Sequence, residues 1–409
     1  VYTLGLNISG VPDGSEVLTV SPVDDSIYDS VGNETETSQS NNTVTLNDEL
    51  APSVTITAAN SSGTAVASGS TTNDGTITVT FATTESTTDF ADSDITVSGG
   101  KIKSIGKADL NNHKVYDAEN KIVLPGIIDT QVHFREPGST DAEDLESGSR
   151  AAVLGGVTSL FEMPNTNPPT ANLVEFEKKL KAAKNRMHSN YAFYFGATPS
   201  NTDQLAQLKN VEGCCGVKLF AGSSTGNLLV DKEADIEKVI SSSDRVVSIH
   251  SEDEDIIKLR KKFIRKGDVH SHHEWRNVEC AMSSTRRVVK IAERYDKKIH
   301  VLHVTTKDEV DFLAMHKKNV TFETTPQHLT LYAPDCYDKL GTYAQMNPPL
   351  RGKEHYDRLW HAIKNNIVDV LGSDHAPHLK ANKDKEYPNS PSGMPGVQTI
   401  FPVMIDHVN

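Results

Sequence analysis

The first hundred residues contain no lysine or arginine, although they include 14 aspartate and glutamate residues. The net charge of the chain is −14, so this stretch accounts for all of it and residues 101–409 are neutral overall. Two stretches with such different charge balance predict two separate parts of the protein. Because phosphate contacts need clustered lysine and arginine, nucleic acid is not an expected partner.

Long apolar runs and paired cysteines are also missing. No run reaches the length of about 18 apolar residues that a membrane span needs, so no membrane contact is predicted. The start, VYTLGLNISG, has neither a basic region nor a methionine, and no signal peptide is visible. The spacing of the four cysteines fits neither a zinc knuckle nor a disulfide framework. They are predicted to be buried small residues in a reducing, cytoplasmic compartment: Cys214, Cys215, Cys280 and Cys336.

Residues 1–97 are rich in serine, threonine, asparagine, aspartate and glycine. Runs such as SVTIT at 53–57 and TITVTF at 76–81 alternate β-branched and small residues, which predicts short antiparallel strands. Residues 52–100 resemble the immunoglobulin-like repeats of bacterial surface proteins, which would imply a location at the cell surface. The alternatives are a disordered Ser/Thr-rich tract and an adhesin-like module that carries the function. No reactive group in this segment indicates a ligand.

Beyond residue 100, apolar β-runs alternate with charged segments of helical period, such as residues 173–184, 236–242, 282–295 and 307–316. This alternation is typical of a parallel α/β fold. Eight β-runs in about 260 residues predict a (β/α)8 TIM-type barrel over residues 123–409, with its chemistry at the carboxyl ends of the strands. The strands are predicted to end near eight residues: Phe134, Asn165, Ala197, Gly222, Asp253, Thr306, Leu331 and His378.

Six polar or ionisable side chains fall at these strand ends. In the first barrel strand, which ends in DTQVHF, Gln131 and His133 are two positions apart and therefore point together into the barrel mouth. Four more come from the fourth, fifth, sixth and eighth strands: Lys218, His250, His303 and Asp374. Imidazole and carboxylate are ligands that zinc prefers, so the set predicts a metal site.

Lys218 is the unusual member, because an ammonium only donates hydrogen bonds and cannot bind a cation. The pKa of a lysine falls readily on burial, and the neutral amine can react with CO2 to give a carbamate that bridges two metal ions. An ion pair in the barrel core is an equally good interpretation of Lys218.

The motifs around these residues carry a more specific resemblance. LPGIIDTQVHFREPG, GGVTSLFEMPNTNPPT, GVKLF, VLHVTT, TPQHLTL, MNPPLRG, DVLGSDHAPH and SGMPGVQT resemble, in order and spacing, the motifs of bacterial dihydroorotases of the amidohydrolase superfamily. The resemblance covers residues 92–409. It implies that residues 98–122 are a remnant of an N-terminal β-sandwich and that the barrel is incomplete at its carboxyl end.

The resemblance also implies the residue roles. One or two zinc ions would be bound by His133, Lys218 as a carbamate, His250, His303 and Asp374. Asp374 would also be catalytic, moving a proton between water and the leaving ring nitrogen. The substrate would contact four further residues: its carboxylate would be held by Arg135, Asn165 and His378, and its ring would be lined by Asn347. The implied reaction is the reversible hydrolysis of the small molecule (S)-dihydroorotate to N-carbamoyl-L-aspartate, a step of pyrimidine biosynthesis.

Gln131 departs from the superfamily pattern, which has a second histidine ligand at this position. An amide oxygen is the weaker ligand, so one firm metal ion, or two with one held weakly, is expected. Two alternatives stay open: a hydantoinase or allantoinase, and a non-catalytic dihydroorotase-like subunit that scaffolds aspartate transcarbamoylase. A homodimer is also conceivable.

Three further features are secondary. The histidine run at 270–273 is predicted to be a solvated loop. Glu252 and His328 are predicted either to orient metal ligands or to be ordinary buried polar residues.

Overall fold

The computed structural model describes residues 121, 123–224 and 228–408, together with the backbone of six short strands that precede them. These strands, β1 to β6, span Val17–Thr19, Thr43–Thr45, Val54–Asn60, Ile77–Thr83, Ile95–Ser98 and Lys101–Ile105. They form three antiparallel pairs, β1 with β2, β3 with β4 and β5 with β6. The two runs predicted as strands correspond to β3 and β4. The predicted immunoglobulin-like arrangement and the sandwich remnant at 98–122 depend largely on residues outside those described.

The unit formed by Pro125–Val408 contains eight parallel strands whose spatial order follows the chain. These strands, β7 to β14, span Ile127–Val132, Val157–Glu162, Asn190–Gly196, Cys214–Phe220, Val247–His250, Ile299–Val301, Val320–Thr324 and Val370–Leu371. A parallel bridge between Val132 and His375, with the His133 amide donating to the His375 carbonyl at 2.7 Å, joins the last segment to the first. The predicted (β/α)8 barrel is therefore confirmed.

Helices cover the outside of the barrel. Helices α1 to α12 span Leu145–Leu154, Leu173–Ala183, Glu233–Ser242, Glu254–Arg260, Ser271–Trp275, Val278–Arg294, Lys307–Ala314, Pro326–Thr330, Asp335–Leu340, Lys353–Lys364, Lys380–Lys383 and Ile400–Asp406. Short 3-10 helices lie at Thr202–Asn210, Lys261–Phe263 and Gly341–Ala344. Helix α6 is typical: Asn277 caps its first turn, and Val288, Ile291 and Ala292 are buried at helical spacing.

The core explains why the strands read as nearly continuous apolar runs. In β10 and β11 every residue except Cys215 is buried, because parallel strands are covered by helices on one face and by the barrel interior on the other. Among the described residues, no helix combines the length and apolar character needed to cross a membrane.

Two predicted strand ends were placed too late. The seventh strand ends at Thr324, and the apolar run up to Leu331 belongs to α8 instead. Thr325 caps this helix and Pro326 occupies its first turn, a combination that favours a helix start over a strand. The eighth strand is only Val370–Leu371, so Asp374 and His378 lie in the loop that follows it.

Candidate active site

The carboxyl ends of the strands surround a small cavity of about 20 Å³, here called the inner pocket. Because parallel strands in a barrel all end at the same face, residues far apart in the sequence converge there. Nine residues predicted from the sequence line it: Gln131, His133, Arg135, Asn165, Lys218, His250, His303, Asn347 and Asp374.

One side of the inner pocket is formed by the end of β7 and the loop after β14. The Asp374 Oδ1 atom accepts a hydrogen bond from Gln131 Nε2 at 2.8 Å and lies 3.1 Å from His133 Nε2. The other ring nitrogen, His133 Nδ1, lies 2.7 Å from Asn165 Oδ1. Asp374 has a φ of +45°, a left-handed conformation that is strained for a residue other than glycine. The loop thereby aims the carboxylate inward.

The opposite side is formed by the ends of β11 and β12. His250 Nδ1 lies 3.0 Å from His303 Nε2, and His250 Nε2 lies 2.9 Å from the Glu252 carboxylate. A carboxylate accepts only, so His250 must carry its proton on Nε2 and present the lone pair of Nδ1 to the pocket. Arg276 pairs with the buried Glu252 and also donates to the Ser223 carbonyl at 2.7 Å. The structure therefore places Glu252 as the residue that orients His250.

Burial keeps the imidazoles neutral. Desolvation lowers the pKa of His133 and His250 below 6.5, although Asp374 and Glu252, respectively, oppose it. Desolvation together with His250 lowers the pKa of His303 still further. Neutral imidazole is the form that binds a metal ion.

Lys218 lines the inner pocket and is fully buried. Its Nζ atom has no hydrogen-bond partner among the described residues and lies 4.4 Å from the centre of the Phe220 ring. Burial lowers the pKa of Lys218 to about 7, although the carboxylates of Asp374 and Glu323 oppose the shift. A substantial fraction of the amine is therefore uncharged at neutral pH.

The donor atoms of the pocket fit a metal ion. Among the described residues, no three His, Cys, Asp or Glu side chains converge closely enough to hold an ion by themselves. The pocket instead joins the His133–Asp374 pair, the His250–His303 pair and Lys218. Within the part of the chain that the structure describes, three buried polar atoms of the pocket have no partner: Gln131 Oε1, Lys218 Nζ and His303 Nδ1. Buried polar atoms are rarely left unpaired, so this set is consistent with an ion or ligand bound among them.

A larger cavity of about 470 Å³, here called the outer cleft, adjoins the inner pocket and shares Arg135 and Asn165 with it. His378 also lines the outer cleft. Arg135 donates from Nε to the Pro377 carbonyl at 2.9 Å, and within the described part of the chain it forms no ion pair with a carboxylate. Its Nη2 atom lies 3.4 Å from His378 Nε2. The structure thus brings together the three residues predicted to hold a substrate carboxylate.

Asn347 lines the inner pocket, as do Ser392 and Gly393 of the loop of residues 390–396, here called the pocket loop. Asn347 Oδ1 lies 3.0 Å from the Nε2 atom of His272, which also faces the Met346 carbonyl at 2.9 Å. The prediction of a solvated histidine loop is wrong for His272, which is only 1% exposed. His272 lies on α5, whose packing against Tyr387 was not visible in the sequence.

Other contributors were also missed or changed role. His375 lies 2.8 Å from Glu143 through Nε2 and accepts from the Gly396 amide at 2.9 Å, so it ties the loop after β14 to the pocket loop. His328 contacts the Pro348 carbonyl at 3.3 Å and Thr325 instead of a predicted metal ligand.

The geometry matches what comparisons with known proteins find. The model of the family described as "Amidohydrolase family" matches residues 122–396. A dihydroorotase of Methanosarcina acetivorans is 34% identical over 327 residues, which cover 76% of this chain and 69% of that protein. An allantoinase of Salmonella choleraesuis is 32% identical over 329 residues, with 76% and 72% covered. The solved structure of an L-hydantoinase (dihydropyrimidinase) from Arthrobacter aurescens has a TM-score of 0.71 at 27% identity, with 81% of this chain and 73% of that chain covered.

Proposed function

Because the chain belongs to the amidohydrolase family, we propose that it is a metal-dependent hydrolase of cyclic amides, and specifically a dihydroorotase. The reaction is the reversible hydrolysis of (S)-dihydroorotate to N-carbamoyl-L-aspartate. Relatives named dihydroorotase, at 34% identity over most of the barrel, support this choice. The substrate is a small molecule that enters through the outer cleft.

The choice of dihydroorotate as substrate rests on the position of Arg135. Arg135 is 9% exposed and lies where the inner pocket meets the outer cleft, and its guanidinium has no carboxylate partner among the described residues. A planar guanidinium is suited to two parallel hydrogen bonds with a carboxylate. A dihydroorotate ring bound in the outer cleft, with its scissile amide at the mouth of the inner pocket, would carry its carboxylate toward Arg135 and supply the missing partner.

The metal ion is proposed to be zinc, held by His133, Lys218 as its carbamate, His250, His303 and Asp374. Formation of the carbamate joins the neutral Lys218 nitrogen to the carbon of CO2 and releases one proton from that nitrogen. The bound ion would supply Lewis acidity to the ring carbonyl and lower the pKa of water. Gln131, whose Oε1 atom has no partner, would be a weak additional ligand.

The chain's own groups move the proton. Asp374 is held by its contacts with Gln131 and His133, and a bound substrate would bring the attacking water and the ring nitrogen within reach of its carboxylate. We assign Asp374 the role of general base toward the water and general acid toward the leaving nitrogen. Gln131 and His133 hold the Asp374 carboxylate in one orientation, which favours proton transfer between the water and the ring nitrogen.

Two rival functions rest on particular observations. The similarity to an allantoinase and to a hydantoinase favours a cyclic amide without a carboxylate. Gln131 in place of a histidine favours a non-catalytic subunit, such as a scaffold for aspartate transcarbamoylase. A scaffold, however, does not need the other five predicted ligands, which the inner pocket brings together.

The test combines metal analysis with an assay of ring opening. Purified protein is measured by plasma emission, then assayed side by side with dihydroorotate, hydantoin and allantoin. One to two zinc ions per chain, with turnover of dihydroorotate above the other two, is the expected result. If only hydantoin or allantoin were hydrolysed, that compound would replace dihydroorotate as the proposed substrate. Absence of both metal and turnover would favour the scaffold.

A further inference from the structure

Lys383 is a buried lysine outside the predicted site, and its ammonium faces only carbonyl oxygens. It is the last residue of α11 and is 5% exposed. Its Nζ atom donates to the carbonyls of Gln345, Pro391 and Gly393 at 3.2, 3.0 and 3.1 Å. Among the described residues, no carboxylate forms an ion pair with it. Burying a charge without a counterion is unfavourable, so a residue with only a packing role would be better served by an aliphatic side chain.

The three carbonyls belong to two segments that form one wall of the inner pocket. Pro391 and Gly393 belong to the pocket loop, and Gln345 lies two residues before Asn347. The Gly393 amide donates to the Gln345 carbonyl at 2.9 Å. The Gln345 side chain donates to the Ser390 carbonyl at 3.1 Å and to Ser392 Oγ at 3.0 Å. Lys383 therefore joins two segments that both reach the substrate cavity.

Gly393 lies where the pocket loop packs closely against Ala376 and His378. Its φ of +140° suits glycine, and a Cβ there would lie 2.7 Å from the Ala376 carbonyl and 2.9 Å from His378 Nε2. The neighbouring Ser392 carbonyl lies 3.0 Å from His378 Nε2. The position of the pocket loop thus sets the position of His378 as well as the shape of the cavity.

We propose that Lys383 is a positioning residue: its ammonium gathers the carbonyls of Gln345, Pro391 and Gly393 and thereby fixes the pocket loop against the substrate. An ammonium has three N–H donors, one for each carbonyl. The part of the inference that concerns substrate rests on the proposed function, whereas the part that concerns the loop does not.

The first experiment measures the loop without any substrate. Amide hydrogen exchange of the pocket loop is followed in the wild type, in Lys383→Met and in Lys380→Met, an exposed lysine of the same helix. We expect exchange in the pocket loop to rise at least about tenfold in K383M, the effect of losing hydrogen bonds to a charged group. K380M should match the wild type. Equal protection in both variants would overturn the proposal, whatever the enzyme's substrate is.

The second experiment is rescue by a free cation. Lys383→Ala removes the ammonium from all three carbonyl oxygens, of which only that of Gln345 keeps a second donor described above, the Gly393 amide, and a free ammonium ion can take the place of the lost group. Steady-state kinetics are measured on whichever cyclic amide the wild type hydrolyses, in ammonium chloride and in tetramethylammonium chloride at equal ionic strength. We expect KM of K383A to rise more than kcat falls, and ammonium alone to restore kcat/KM several-fold. Identical behaviour in the two salts would contradict a role for the three donors.

The wild type provides a readout if neither variant folds. Burial lowers the pKa of Lys383 to about 8. The titratable group that senses its charge is His378, whose pKa falls to about 4 through burial, Arg135 and Lys383, so it stays neutral throughout. Above pH 8, Lys383 loses a proton and one carbonyl loses its donor. Exchange in the pocket loop, corrected for the intrinsic rate, should therefore rise between pH 7 and 9.5, whereas a flat profile would overturn the proposal.

Discussion

The inner pocket and the outer cleft meet at Arg135 and Asn165, yet they are built in opposite ways. The inner pocket has a volume of about 20 Å³, and its side chains bind one another: His133 with Asp374, and His250 with His303 and Glu252. The outer cleft has a volume of about 470 Å³, and no carboxylate among the described residues pairs with Arg135 there. The side chains of the inner pocket are therefore held in place before substrate binds, whereas Arg135 in the outer cleft gains a carboxylate partner only from the substrate.

The difference assigns chemistry to one region and recognition to the other. Groups that hold a metal ion and move a proton must stay within a few tenths of an ångström of their working positions, and mutual hydrogen bonds achieve this. Groups that choose a substrate work best with donors that only the correct ligand satisfies. Changes in the inner pocket should therefore lower kcat, and changes in the outer cleft should mainly raise KM.

The largest effect is expected from Asp374→Ala. Loss of the group that accepts and returns the proton should lower kcat by about 10³-fold, within the range for general acid–base catalysis. His133, His250 and His303 remain, so part of the bound zinc should be retained, as measured by plasma emission. Asp203→Asn, at an exposed carboxylate on the 3-10 helix Thr202–Asn210, is the control and should match the wild type. Turnover like that of the wild type in D374A would remove Asp374 from the mechanism.

The next effect is expected from Glu252→Gln, which leaves the inner pocket intact but loosens a ligand. Burial raises the pKa of Glu252, but Arg276 and His250 outweigh it and hold the pKa well below 4.5. Loss of the carboxylate breaks a buried ion pair, at a cost of about 3–5 kcal/mol in unfolding free energy. Zinc affinity should also fall about 10–100-fold.

Two measurements check this variant separately. Denaturant unfolding gives the change in free energy, and chelator competition gives the zinc affinity. Arg294→Met is the control, because it removes an ion pair with Glu237 at an exposed position. It should change the free energy of unfolding and the zinc affinity much less than E252Q does. Unaltered zinc affinity in folded E252Q would show that His250 does not need its carboxylate partner.

A smaller effect, on KM instead of kcat, is expected from Arg135→Met. The substrate carboxylate would lose charged hydrogen bonds worth about 1.5–3 kcal/mol, so KM should rise about 10–100-fold while kcat changes little. Arg150→Met, at an exposed arginine of α1 paired with Glu146, serves as the control. A fall in kcat with unchanged KM would show that Arg135 acts in the chemical step and not in substrate binding.

The smallest effect is expected from Gln131→His. Imidazole is a better zinc ligand than an amide oxygen, so the proposed metal site should bind zinc more tightly, by less than about tenfold. The gain is limited because Gln131 also donates to Asp374 at 2.8 Å, and the variant gives up that contact. Chelator competition for zinc is the measurement, and weaker binding in Q131H would show that the amide matters more as a donor to Asp374.

The proposed ligands could be grouped from the sequence because strand ends in a barrel converge whatever their separation along the chain. Each of His133, Lys218, His250, His303 and Asp374 lies at such an end or just after it, and all five line the inner pocket. The fold was predictable for the same reason: buried parallel strands leave a strong apolar signal.

The supporting residues could not be predicted in this way. The burial of His272 depends on Tyr387 and Met346, and that of Lys383 on carbonyls 8 to 38 residues away. These partners are brought close by loops, which have no periodicity. The strand at Leu331 was placed wrongly because a short apolar run fits a helix as well as a strand, and Thr325 with Pro326 decided for the helix.

The central claim, that the inner pocket does chemistry on a ring whose carboxylate the outer cleft recognises, is tested most directly by two substrates that differ in that group alone. Dihydroorotate and 5,6-dihydrouracil share the ring and the scissile amide, and only the first carries a carboxylate. The measurement is kcat/KM for both with the zinc-loaded wild type and with R135M. We predict that the wild type prefers dihydroorotate by at least about tenfold, the effect of one charged hydrogen bond, and that R135M loses this preference. Equal values for the wild type, or a preference that survives in R135M, would contradict it.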